Sequence, residues 1–230
     1  MSPPVPHVLI LGGRRGGDDA VASVAGVSHK ALVPVRGVPM LARVVATLRA
    51  ALPGATIGIA IDRTEDVAPL LDDLARDGAI VVVEPGPSPC ATVAKALAMP
   101  ELAQPLLIAT ADHPLLTPEM VRHFLGAIPV GVDAAVALAS RETISARYTS
   151  RRTYWEFRDR AVSGCNLFFL GPNAASVVGF WQRLENDRKK PWKMVRHLGL
   201  ASLLLFVARR LTLRGALDRL GRRAGARAVA

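Results

Sequence analysis

Three observations predict an α/β fold, a three-layer α/β/α sandwich with a mainly parallel central sheet. Short apolar runs alternate with segments of helical period through the first 140 residues, the signature of successive βαβ units. Ala, Val and Leu dominate the apolar half of the chain, while only 5% of residues are aromatic, a composition suited to helix–sheet contacts. With 230 residues, the chain can bury one substantial core.

Taken in order, His7–Leu11 (HVLIL) is short, apolar and β-branched and ends in Gly12-Gly13, so it reads as a buried central strand. Residues 12–29 are rich in Gly, Asp and small side chains without a period, which predicts a long loop. Residues 39–51 place apolar side chains at 40, 41, 44, 45 and 48, a helical stripe with Pro39 at its start. Strands follow at 55–61, 80–83, 105–109 and 134–138, and helices at 67–76, 91–99 and 117–125. Thr117-Pro118-Glu119 is a helix start, an N-cap followed by proline. Residues 141–160 are basic and aromatic and read as a β-hairpin or an inserted flap. A strand at 165–170, helices at 173–186 and 192–208, and an arginine-rich tail complete the chain.

The charge is uneven. Residues 1–140 hold 10 Lys/Arg and 13 Asp/Glu; residues 141–230 hold 19 and 6. A region of net charge +13 attracts phosphates, whether on a small substrate, anionic lipid or nucleic acid. No nucleic-acid-binding motif accompanies it, so no nucleic-acid partner is expected. Cys90 and Cys165 have neither disulfide-framework nor zinc spacing. The first residues carry no basic, apolar leader, and the apolar stretch 198–208 is too short to span a bilayer. A cytoplasmic protein is expected, with peripheral contact to an anionic membrane as one use of a basic, amphipathic 198–230 segment.

Several residues stand out chemically. Gly12-Gly13-Arg14-Arg15-Gly16-Gly17 follows a strand, and such a loop lets backbone N–H groups approach phosphates while arginine adds a charged fork. It matches neither the Rossmann nor the Walker A pattern; a plain glycine turn explains it as well. Lys30 lies 17 residues after Gly13 and could return to the same phosphates. Asp112 ends a buried strand, where packing explains a carboxylate poorly. A hard oxygen there suits Mg²⁺, and a helix cap is the alternative. Ser88 and Thr92 sit at a proline-rich helix start. Asn166 interrupts an apolar strand and needs a partner if buried.

The order strand, Leu11-x-Gly-Gly-x-Arg loop, then Lys30-Ala-Leu-x-Pro-Val-x-Gly-x-Pro-Met-Leu resembles the MobA-like NTP transferases of the nucleotide-diphospho-sugar transferase, or GT-A-like, superfamily. That resemblance implies a Rossmann-like GT-A fold and transfer of an NMP unit, CMP or GMP, from CTP or GTP to a phosphorylated acceptor. It implies that Leu11, Gly12, Gly13, Arg14, Arg15 and Lys30 hold the phosphates and that Ser88 and Thr92 line the base pocket. Asp112 and Asn166 would hold Mg²⁺. Members usually carry Pro or Asp before the lysine; this chain has Ser28-His29. The pattern and the charge asymmetry divide the chain into a nucleotidyltransferase domain over 1–197, with 141–164 as an inserted flap, and basic amphipathic C-terminal helices over 198–230 that face a membrane, a partner or the domain. An oligomer is compatible with this reading. Two other functions stay open on sequence: a non-catalytic nucleotide-binding or regulatory relative, and a basic nucleic-acid-binding protein.

Overall fold

The computed structural model describes residues 5–13, 19–62, 65–149, 152–187 and 199–230. The fold is mixed α/β with a mostly parallel central sheet, as the alternating pattern predicts. Its contacts gather the chain into two units, Met1–Ala127 and Ile128–Ala230.

The first unit contains β1 (His7–Leu11), an antiparallel pair of β2 (Pro34–Val35) and β3 (Val38–Pro39), then β4 (Ile57–Ala60), β5 (Ile80–Val83) and β6 (Leu106–Thr110). Its sheet has the order β6-β1-β4-β5, and every pair is parallel. Val8, Leu9 and Ile10 of the inner strand are fully buried, as are Leu107 and Ile59 beside them. Burying each such side chain contributes about 1.5–3 kcal/mol. Helix α1 spans Ala20–Val24 and α2 spans Met40–Ala51, and α2 turns Leu41, Val44, Val45 and Leu48 into the core at helical spacing. Gly58 on β4 has a packing reason: an added Cβ would lie 2.5 Å from Leu102 Cδ1.

Helix α1 corrects the expectation of a continuous loop over 12–29. Asp19 Oδ1 accepts hydrogen bonds from the Val21 and Ala22 N–H groups at 2.9 and 3.1 Å, which starts a helix that hydrophobic period does not announce. Helices α3 (Ala68–Arg76), α4 (Pro89–Leu97) and α5 (Pro118–Gly126) match the predicted ones to within two residues. Thr117 caps α5 as its sequence requires, accepting from the Met120 N–H at 3.3 Å.

The second unit holds β7 (Ala134–Ser140), α6 (Arg141–Ser145), β8 (Trp155–Glu156), β9 (Ala161–Leu170), α7 (Ala174–Asp187), α8 (Leu200–Val207), α9 (Leu213–Ala224) and β10 (Ala228–Val229). β9 pairs antiparallel with both β7 and β8. Within 141–160, read as a hairpin or a flap, only β8 is a strand among the described residues, and it pairs with the start of β9 beyond that range; residues 141–145 form a helix because the Ser140 hydroxyl caps Thr143 N–H. Between Val136↔Phe168 and Leu138↔Gly164 the register shifts, so three residues of β9 bulge opposite Ala137.

The C-terminal segment is more structured than an arginine tail. Helix α8 ends where Arg209 takes φ 53°, with Arg209 N–H bonded to Phe206 O at 2.9 Å and Arg210 N–H to Leu205 O at 2.7 Å. Thr212 then caps α9, and Gly225, at φ 65°, closes it. β10 joins β7 in parallel, so the last residues extend the sheet. Residues 192–198 of the predicted helix lie outside the described residues. Among the described residues, no helix is long and apolar enough to cross a membrane.

Candidate active site

In the first unit the chain leaves β1 for β4 and β5 on one side, then returns to place β6 on the other side of β1. The crevice between the carboxyl ends of β1 and β6 is therefore a topological switch point, where parallel α/β sheets bind ligands. Leu11 pairs with Thr110 there. Gly12 N–H donates to Ala60 O at 2.8 Å, and Ala111 N–H donates to Leu11 O at 2.9 Å, so the two loops leave the sheet side by side. Side chains would not fit at the two glycines without displacement. A Cβ on Gly12 would sit 3.3 Å from Ala111 Cβ and 3.4 Å from Ala60 O; one on Gly13 would sit 3.3 Å from Pro85 Cβ.

Lys30 reaches this crevice from a distant part of the chain. It opens a 3₁₀ turn, Lys30–Leu32, and His29 caps that turn by accepting the Ala31 N–H on Nδ1 at 3.0 Å. His29 itself is buried, so its imidazole fixes the backbone from which the lysine projects. The Lys30 ammonium donates to Asp112 Oδ2 at 2.8 Å. These residues are 82 positions apart, and their side chains are 34% and 38% exposed, open to a ligand.

Burial pushes the Asp112 carboxyl up. The Lys30 hydrogen bond, the neighbouring Thr110 hydroxyl and the Lys30 charge outweigh burial, and the net shift is downward from the ordinary value of 3.8. Asp112 is thus ionised at neutral pH. It does not cap the following helix, since Thr117 does so. An ionised, reachable carboxylate is a donor that a hard cation takes when it keeps most of its waters and also binds phosphate oxygens; among the described residues no cluster of three or more His, Cys, Asp or Glu side chains joins it.

The sequence matches the MobA-like NTP transferase domain over residues 13–229. The chain belongs to the MobA-like NTP transferase family. The match to this NTP transferase domain includes α8, α9 and β10. Among solved structures, a hypothetical transferase from Thermus thermophilus is 29% identical with a TM-score of 0.77, covering 98% of this chain and 92% of that one. The CMP:2-keto-3-deoxy-manno-octonic acid synthetase, solved with CTP, is 13% identical with a TM-score of 0.56, covering 85% and 87%. The 4-diphosphocytidyl-2C-methyl-D-erythritol synthase from Anaerococcus prevotii is 11% identical with a TM-score of 0.52, covering 79% and 76%. The last two likenesses are of fold. No curated protein matches the sequence.

The other site residues expected of this NTP transferase fall into three groups. Arg14 and Arg15 lie outside the described residues. Ser88 and Thr92 are close together, and both serve the local fold. Ser88 Oγ accepts the Ala91 N–H at 3.2 Å and starts α4. Thr92 Oγ1 donates to Ser88 O at 3.0 Å and accepts the Gly86 N–H at 2.9 Å, clamping the Pro-rich loop whose Pro85 meets Gly13.

Asn166 belongs to the second unit and is exposed, so a buried amide seeking a partner is not the reason for it. It lies in the β9 bulge at φ 51°, a left-handed conformation that asparagine tolerates better than most residues. Cys165 beside it is half-buried, and burial pushes its thiol up, which suits a packed thiol. Sequence reasoning missed His29, whose capping role has no signature beyond its place before the lysine.

Proposed function

We propose that this NTP transferase transfers CMP or GMP from CTP or GTP to a phosphorylated small-molecule acceptor and releases pyrophosphate, with Mg²⁺ as cofactor. The observation that carries the reading is the meeting of Lys30 and Asp112 beside the glycine loop, at the switch point of a parallel sheet.

The acceptor phosphate oxygen forms a bond to the NTP α-phosphorus, and the α–β bridging P–O bond breaks, its electron pair leaving with pyrophosphate. A phosphate acceptor is ionised at neutral pH, so the reaction needs no general base. Lys30 neutralises the triphosphate, and the backbone at Gly12 and Gly13 lets it approach closely, with Arg14 and Arg15 adding charge. Asp112 would hold Mg²⁺, which would supply further charge neutralisation to the phosphates when bound. Ser88 and Thr92 shape the loop beside the base pocket. Catalysis is then positioning and electrostatics, without a covalent enzyme intermediate. CTP bound to a fold neighbour supports a nucleoside triphosphate as donor.

Calorimetric titration of each NTP, with and without Mg²⁺, tests this reading. Mg²⁺-dependent binding of CTP or GTP that Lys30→Ala and Asp112→Ala each weaken is expected. Binding that ignores both residues would overturn the site assignment.

A further inference from the structure

The second unit carries an apolar helix that its described residues leave exposed. None of the eight residues of α8 is buried. Leu200 and Leu204 are each 59% exposed and Val207 is 72% exposed. Their i, i+4, i+7 spacing puts the three on one face of the helix. The opposite side is anchored: Phe206 meets Phe157 edge-on, with ring centroids 5.6 Å apart. An apolar face held outward by contacts on its back is a presented surface, not a frayed end.

Charge decides what that surface fits. Residues 199–230 contain seven arginines and one aspartate, and α8 has no charged residue of its own. Arg209 and Arg210 follow the helix directly and are exposed, and neither meets a carboxylate among the described residues. Arg214 is 94% exposed, with its guanidinium 4.0 Å from Asp218. Trp155, two residues before Phe157, is also exposed, and tryptophan favours the boundary between headgroups and acyl chains. An apolar face followed by the exposed Arg209 and Arg210 is the arrangement of a helix lying in an anionic lipid interface. A second copy of the chain would bring the same positive charge to the contact.

We infer that α8 docks this protein peripherally on an anionic membrane, with Leu200, Leu204 and Val207 entering the interface and Arg209 and Arg210 meeting lipid headgroups. The docking does not depend on the catalytic reading. Sedimentation of the full chain with phosphatidylcholine vesicles, with and without phosphatidylglycerol, tests it. Binding is expected to need the anionic lipid and to weaken as salt rises. Leu200→Gln/Leu204→Gln/Val207→Gln should lose binding, and Arg209→Gln/Arg210→Gln should weaken it roughly tenfold or more. The thermal midpoint of each variant confirms its fold, and the salt titration of the unaltered chain needs no variant. Failure to bind anionic vesicles, salt-independent binding, or binding that the triple variant retains would each overturn the inference. A concentration-dependent dimer that the triple variant abolishes, without vesicle binding, would assign the face to a second copy and also overturn it.

Discussion

Replacing Lys30 by methionine separates a structural ion pair from a working one by magnitude. The ammonium and the Asp112 carboxylate lie 2.8 Å apart, and about a third of each side chain is exposed. Coulomb attraction at that distance in water-like dielectric is about 1.5 kcal/mol. Ordering two side chains offsets much of it, so Lys30→Met should lower folding stability by less than about 1 kcal/mol in urea denaturation at neutral pH. The same change removes the positive charge facing the phosphates, which should cost about 2–4 kcal/mol, or roughly 30- to 1,000-fold, in NTP affinity or turnover. pH adds a second signature. The Asp112 carboxyl is depressed in the folded state, so the pair's stabilisation is complete above the unfolded value of 3.8 and is lost as pH falls through the lower folded value. Between pH 6 and 8, therefore, the stability difference between parent and variant should stay flat. A stability loss of several kcal/mol with an unchanged affinity for Mg²⁺–NTP would refute the reasoning and make the pair a fold determinant.

Three further substitutions probe the surroundings. Thr92→Val removes both hydrogen bonds of a buried hydroxyl and leaves the Gly86 N–H unpaired, so urea denaturation should show a loss of about 1–3 kcal/mol; an unchanged midpoint would mean that the loop is held otherwise. Gly12→Ala presses a Cβ against Ala111 and Ala60 O and should cost about 1 kcal/mol in stability. Calorimetry should show a larger loss in NTP affinity, at least about tenfold, and an equal affinity would remove Gly12 from the phosphate site. Asn166→Gly keeps the φ 51° bulge without strain and should change stability by less than about 1 kcal/mol; if the amide holds the metal, the Mg²⁺ concentration for half-maximal nucleotide binding rises, and an unchanged requirement removes Asn166 from the site.

Strands β1, β4 and β6 were readable because their inner residues are buried on both faces, and such runs are apolar throughout. Helix α1 was not, because its start rests on one carboxylate, Asp19, and its five residues have no room for a period. β10 escaped for a similar reason: two residues, Ala228 and Val229, acquire strand character only from pairing with β7. The pairing of Lys30 with Asp112 depends on the order of β1 and β6 in the sheet, which local pattern does not encode; only the resemblance to a family drew both residues to one ligand. Asn166 shows the converse. Its amide invited a reading from burial, whereas the bulge leaves it exposed and selects asparagine for its backbone.

Pyrophosphate release is the most direct test of nucleotidyl transfer. The full chain is incubated with Mg²⁺, each of the four NTPs and a panel of phosphorylated acceptors, beside Lys30→Ala and Asp112→Ala. Release that requires one NTP and one acceptor, and that both substitutions abolish, is the expected result. Silence across the panel together with no NTP binding would contradict it and mark the chain as a non-catalytic member of its family.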